Sequence, residues 1–220
     1  LNNSLISIHF ETLKKIKSKT LHREFINILS NIDLKDENIY DDKVYLVIKK
    51  LYEMGEIKKA YKLVTKINLE SANINKKNLA FFYLIKLNYL YSSYKLSEVC
   101  NLRLFLLEQS INLPKNLLQK SDIFCLTLEN KFSEAKLLNS LLVESETITD
   151  ENFQKLFNFM LLSENSSSFI PLTNIQSKDL VFLYSAMLRI NELPIDKDFI
   201  EIDPLNLSIP VILSETTNMD

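Results

Sequence analysis

A chain of 220 residues with 46% hydrophobic and 25% charged side chains can bury a continuous core, which argues against overall disorder. One glycine and five prolines nearly exclude β-sandwiches and doubly wound α/β folds, whose turns and phosphate loops use glycine freely. A net charge of −2 gives no general attraction to nucleic acid or an anionic membrane, although residues 1–110 carry 18 Lys and Arg against 12 Asp and Glu, and residues 111–220 carry 8 against 16.

Residues 4–17 place Leu5, Ile8, His9, Leu13 and Ile16 three or four apart, the spacing of one helix face. A second helix is expected over 20–31, with Leu21, Phe25, Ile28 and Leu29 inward and Thr20 as its N-cap. Residues 33–42 are polar and aperiodic, and read as a loop ending in an acidic N-cap. Three helical hairpins follow. Their helices are expected near 42–54 and 56–68, then 76–91 and 95–109, then 115–128 and 131–144.

Each hairpin breaks at a comparable point: Gly55-Glu56-Ile57-Lys58-Lys59-Ala60, Tyr94-Lys95-Leu96-Ser97-Glu98-Val99 and Asn130-Lys131-Phe132-Ser133-Glu134-Ala135. The breaks are 39 and 36 residues apart, a period typical of stacked helical repeats. Aligning them puts Ile48, Leu87 and Ile123 in one column and Leu51, Leu90 and Leu126 in another. After the break, Leu63, Leu102 and Leu138 align, then Ile67, Leu106 and Leu142. Gly55 and Asn130 suit the left-handed conformation that ends a helix. Tyr94 does not, so the second turn is expected to be longer and to use Ser92 and Ser93.

Past the hairpins, Thr149–Asn152 starts a helix through Phe153, Leu156, Phe157, Met160 and Leu161. Ser163–Ser168 reads as a flexible loop. Ser177–Leu180 opens a helix through Leu183, Tyr184, Met187, Leu188 and Ile190. From Glu192 onward Pro194, Pro204 and Pro210 predict short turns, near 195–201 and 204–214, of the kind that cap an open core.

The hairpins, with Gly55, Ile57 and Ala60 in residues 43–67 and Phe132 and Ala135 in residues 119–143, resemble the tetratricopeptide repeat. Residues 79–107 match it loosely. Ile48, Leu87 and Ile123 stand where that repeat has a small residue, and its terminal proline is absent from every copy. The resemblance implies an all-α, right-handed superhelix of stacked antiparallel hairpins. The expected organisation is one domain: an N-terminal hairpin to residue 41, three repeats over 42–145, further helices over 146–191 and an irregular cap over 192–220. The chain starts at Leu1 and reads as a processed protein or as a piece of a longer one.

A superhelix of this kind works by presenting a surface, so the expected function is a non-catalytic scaffold or adaptor that binds another protein. Leu79, Phe82, Tyr83, Lys86 and Tyr89 are the candidate groove, because that helix carries more apolar residues than one buried face needs. The alternative is RNA binding through Lys49, Lys50, Lys58, Lys62 and Lys66, a lysine stripe interleaved with Tyr45, Tyr52 and Tyr61. Self-association is a further option, since the two halves carry opposite net charge. No catalytic, cofactor or metal site is expected. His9 and His22 lie on separate helices, Cys-x-x-Cys and Gly-x-Ser-x-Gly are absent, and one glycine cannot make a phosphate loop. The acidic clusters at 33–42 and 196–203 lack the mid-loop glycine of an EF-hand. Cys100 and Cys125 are expected as buried thiols, with a disulfide between neighbouring hairpins as the alternative. No run approaches the roughly 18 apolar residues of a membrane span. Cytoplasm and bacterial periplasm both fit.

Overall fold

In the computed structural model, which describes residues 18–31, 42–70, 74–162, 172–173, 175, 177–195 and 199, every regular element is helical. The helices are α1 (Lys19–Ser30), α2 (Asp42–Glu53), α3 (Ile57–Val64), α4 (Lys76–Ser92) and α5 (Leu96–Glu108), then α6 (Leu117–Leu128), α7 (Phe132–Ser145), α8 (Glu151–Leu162) and α9 (Val181–Ile190). Single 3-10 turns, Pro114–Asn116 and Lys178–Leu180, lead into α6 and α9. No described helix is long and apolar enough to cross a membrane. The expectations for residues 4–17 with His9, the loop at 33–41, Ser163–Ser168 and the proline-rich turns fall outside the described residues, apart from Leu193–Ile195 and a buried Phe199.

Two units divide the chain, one up to Tyr89 and one from Leu90 onward. In the first, α1 packs on α2 and α3, and α2 packs on α3. In the second, α6 lies at the centre and packs on α5, α7 and α8, while α9 covers α8. That position explains the composition of α6: from Leu117 to Thr127 all but Gln119 and Asp122 are buried.

The aligned columns are core positions. Ile48, Leu87 and Ile123 have no exposed surface, and Leu51, Leu90 and Leu126 are buried. Ala60, Val99 and Ala135 are likewise sealed, each inside the first turn of the second helix of its hairpin. The later columns are looser: Leu63, Ile67, Leu106 and Leu142 are buried, while Leu102 and Leu138 are half-buried.

All three hairpin turns end a helix in the same way. Gly55, Tyr94 and Asn130 have φ of 82°, 53° and 60°. Their amides donate to the carbonyls of Tyr52, Tyr91 and Thr127, and the next amides donate to Leu51, Leu90 and Leu126 at 2.9 Å. This paired bond is the Schellman closure, which satisfies carbonyls left over at a helix end. Ser110 and Glu192 repeat it after α5 and α9. The second turn is therefore no longer than the others, which corrects the expectation that it would use Ser92 and Ser93. Tyr94 occupies the left-handed position itself, at a cost of about 1–2 kcal/mol for a side chain bearing a Cβ. Its ring is half-buried beneath the Arg189 guanidinium, 3.9 Å away, and that stacking offsets part of the strain.

Among the three hairpin turns Asn130 is the exposed one, and it isolates the backbone effect. Asn130→Val should cost about 1–2 kcal/mol, because a β-branched residue tolerates a positive φ poorly. Asn130→Gly should leave stability within about 0.5 kcal/mol. Equal urea midpoints for the two variants would contradict the left-handed turn.

Three local expectations need correction. Ser18, not Thr20, caps α1, accepting from the Leu21 amide at 3.4 Å. The buried face of α1 is Ile26 and Leu29, with Phe25 and His22 half-buried, while Leu21 and Ile28 point outward. The face is thus rotated by about one residue from the apolar pattern. Helix α3 also ends at Val64, short of 68. Thr65 turns its hydroxyl back to the Lys62 carbonyl at 3.0 Å, and Asn68 makes a local turn by accepting from the Glu70 amide.

Candidate functional site

The strongest concentration of polar chemistry lies in the second unit, where α6, the α7–α8 connection and α9 surround a cavity of about 550 Å³. Lys120 enters from α6 and is 2% exposed. Its Nζ meets Asp150 Oδ2 at 2.8 Å and Glu146 Oε1 at 3.0 Å, with the Phe153 ring 5.8 Å away. The Tyr184 hydroxyl, from α9, donates to the same Asp150 oxygen. Asp150 Oδ1 accepts the Phe153 amide at 3.1 Å and so caps α8. Glu146 Oε1 also accepts from Asn116 Nδ2 at 3.1 Å.

The remaining wall is held by paired amides. Asn152 donates to the Thr173 carbonyl at 2.7 Å and accepts the Thr173 amide at 3.2 Å, fixing residues 172–173 against α8. Asn139 and Gln154 exchange hydrogen bonds of 2.7 and 2.9 Å between α7 and α8. Each side chain therefore reads its neighbour in both directions, which fixes the wall more firmly than apolar contact alone.

The electrostatics follow from this geometry. Burial alone would raise the Asp150 pKa. Hydrogen bonds from Lys120 and Tyr184, the Lys120 charge and the Phe153 amide outweigh it and hold the carboxyl below its usual range. Tyr184 is pushed well above its usual range by burial, and further by the adjacent Asp150 carboxylate. The anionic and phenolic groups thus sit far from neutrality on opposite sides. Each holds the other in a fixed protonation state.

A second buried ion cluster joins α5 to α6. Arg103, 2% exposed, donates to Asp122 at 2.6 Å, to Glu129 at 2.7 Å and to the Asp122 carbonyl at 3.2 Å. Burial raises the Asp122 pKa despite the opposing guanidinium.

The sequence-derived groove does not form as an exposed patch. Phe82 and Tyr83 are core residues, at 0% and 5% exposure, because α4 is apolar on more than one side and buries both. Leu79, Lys86 and Tyr89 are half-buried. Tyr89 stacks on Tyr61 with centroids 4.0 Å apart, and Lys86 lies over the Tyr83 ring at 5.4 Å. Burial lowers the Lys86 pKa, with the Glu70 charge opposing it.

The basic surface survives in part. Lys58, Lys62 and Lys66 are exposed, and Lys49 is half-exposed beside Glu53 at 3.9 Å. Lys50 is buried, with its ammonium 3.7 Å from Glu53, so it leaves the stripe. Tyr45 and Tyr52 meet Phe81 edge to face rather than standing free beside the lysines. Among the described residues no group of His, Cys, Asp and Glu could hold a metal ion.

Two pairs of exposed leucines, one on α5 and one on α7, are features that sequence periodicity alone does not reveal. Leu104 and Leu107 on α5 are 48% and 39% exposed, and Leu137 and Leu141 on α7 are 63% and 53% exposed. Their i,i+3 and i,i+4 spacings put each pair on one face of its helix. Comparison with known proteins assigns none of these features: no protein-family model, no curated protein and no solved structure matches the chain.

Proposed function

We propose that the protein is a non-catalytic interaction module, a tetratricopeptide-like stack of hairpins that binds another protein through the outward faces of α5 and α7. The observation that carries this reading is the two leucine pairs, Leu104 with Leu107 and Leu137 with Leu141, left in water. Burying one such side chain contributes about 1.5–3 kcal/mol. Four of them on two helices of the same unit are what a docking partner would cover. The equal turns and sealed columns support a repeat scaffold. The mutually neutralised Lys120–Asp150–Tyr184 group supports a structural role for the cavity's ionic lining.

The test is a Leu137→Asp/Leu141→Asp variant. Its melting temperature should stay close to that of the wild type, because surface changes away from packed features usually fall within about 0.5 kcal/mol. Its capture of proteins from the native host should be lost, and any self-association seen by sedimentation should be lost with it. Unchanged capture and unchanged sedimentation would remove α7 from the interface. Steeply salt-dependent retention on a polyanion, abolished by replacing Lys58, Lys62 and Lys66, would favour the RNA-binding reading instead.

A further inference from the structure

Cys100 and Cys125 are bonded to one another, with their Cα atoms 5.5 Å apart. The expectation of two buried thiols is therefore corrected to its alternative. The bond joins α5 of one hairpin to α6 of the next and uses both cysteines of the chain. Facing positions on two packed helices supply the short separation a disulfide needs. Cys125 has no exposed surface and Cys100 is half-buried. Arg103, one turn beyond Cys100, crosses the same seam to Asp122 and Glu129, which bracket Cys125 in sequence. With Cys125 sealed and Cys100 partly covered, the bond is shielded from reductant once the helices have closed over it. Cytosolic thiol pools would hold the same pair reduced while the chain is still open.

We propose that this chain matures in an oxidising compartment, as the substrate of a thiol-oxidising protein that carries a reactive disulfide. The Cys100 thiolate, the more accessible of the two, attacks one sulfur of the donor. The donor's S–S bond breaks as the mixed disulfide forms. The Cys125 thiolate then attacks Cys100 Sγ and expels the donor's sulfur. The chain loses two electrons and two protons overall, and the donor gains both as a dithiol. Because Cys125 ends fully buried, the exchange precedes the closure of α6 against α5. The bond spans 25 residues, so it constrains the unfolded chain, and it anchors the helix that carries Lys120 into the cavity. The inference stands whether or not α5 and α7 bind a partner.

The experiment uses the full gene product in its native host. Cells are quenched in acid, and the denatured protein is treated with a polymer-tagged maleimide before and after reduction. No adduct is expected without reductant, and two adducts after it. One or two adducts without reductant would overturn the proposal. Wild type that is unfolded, reduced and refolded in reductant should melt roughly 7–14 °C below the oxidised protein, from loop closure over a span of this length. The Cys100→Ser/Cys125→Ser variant should melt near the reduced wild type and ignore reductant. A reduced and refolded wild type that melts with the oxidised protein would overturn the structural role of the bond. If the double variant fails to fold, the thiol count on the wild type still decides the matter.

Discussion

Replacing Lys120 with methionine is expected to cost roughly 3–5 kcal/mol of stability, the range for breaking a buried ion pair by removing one partner. The ammonium, at 2% exposure, is the cation against which Asp150 and Glu146 are buried. Methionine fills most of the volume but leaves two carboxylates without that partner. For a chain of this size the melting temperature should fall by roughly 10 °C or more. Lys131→Met removes a lysine whose 2.8 Å contact with Glu129 lies at the surface, and its melt should be unchanged. Adding Glu146→Gln and Asp150→Asn to Lys120→Met should recover much of the loss, since neutral amides need no counter-charge.

The pH dependence makes the same prediction sharper. In the wild type, the folded-state pKa of Asp150 lies below its ordinary value. Its contribution is present above the unfolded pKa of about 3.9 and is lost as pH falls through the lower folded value. Tyr184, raised in the folded state, keeps its proton while an unfolded tyrosine ionises near pH 10, so stability declines above about pH 10. In Lys120→Met the sign at the acidic end reverses. The unpaired carboxylates then favour protonation in the folded state, and stability should rise as pH falls from about 7 to 5. Urea unfolding at several pH values reads this slope directly. A Lys120→Met protein with the wild-type slope would show that Lys120 does not neutralise Asp150.

Hairpin geometry was legible because it is local. A turn residue, a bulky residue two on and a short one five on recur in register, and each recurrence became a Schellman turn and a sealed column. What misled was chemistry acting between distant residues. Tyr94 is a poor left-handed residue by itself, and the stacking that offsets part of its strain comes from Arg189, far along the chain. The apolar surplus of α4 does not reveal how many of its faces are covered, so its pattern points to a groove at Phe82 and Tyr83 although both are core. Lys120 and Tyr184 come from two helices, α6 and α9, and Glu146 and Asp150 from the connection between α7 and α8, and no spacing rule links them. The available signal was a charged residue on an apolar face: Lys120 lies one turn after Leu117 and one before Ile123 and Phe124. Arg103, between Leu102 and Leu106 on α5, carries the same signal.

Ala60→Arg is expected to cost on the order of 2–4 kcal/mol, from overpacking together with the burial of a charge. Ala60 has no exposed surface and lies in the first turn of α3, where α3 packs on α2. Ile48 and Leu51 of α2, the helix packed on α3, are equally sealed. A guanidinium placed there must either remain unpaired in the core or force α3 away from α2. The second outcome exposes Leu63 and Val64, so neither route is cheap. Lys62, two residues on, is exposed, and Lys62→Ala should change stability by no more than about 0.5 kcal/mol. Thermal melts of the two variants therefore test the register of the first hairpin. If they coincide, Ala60 does not face α2, and the alignment that places Ala60, Val99 and Ala135 at one structural position fails with it.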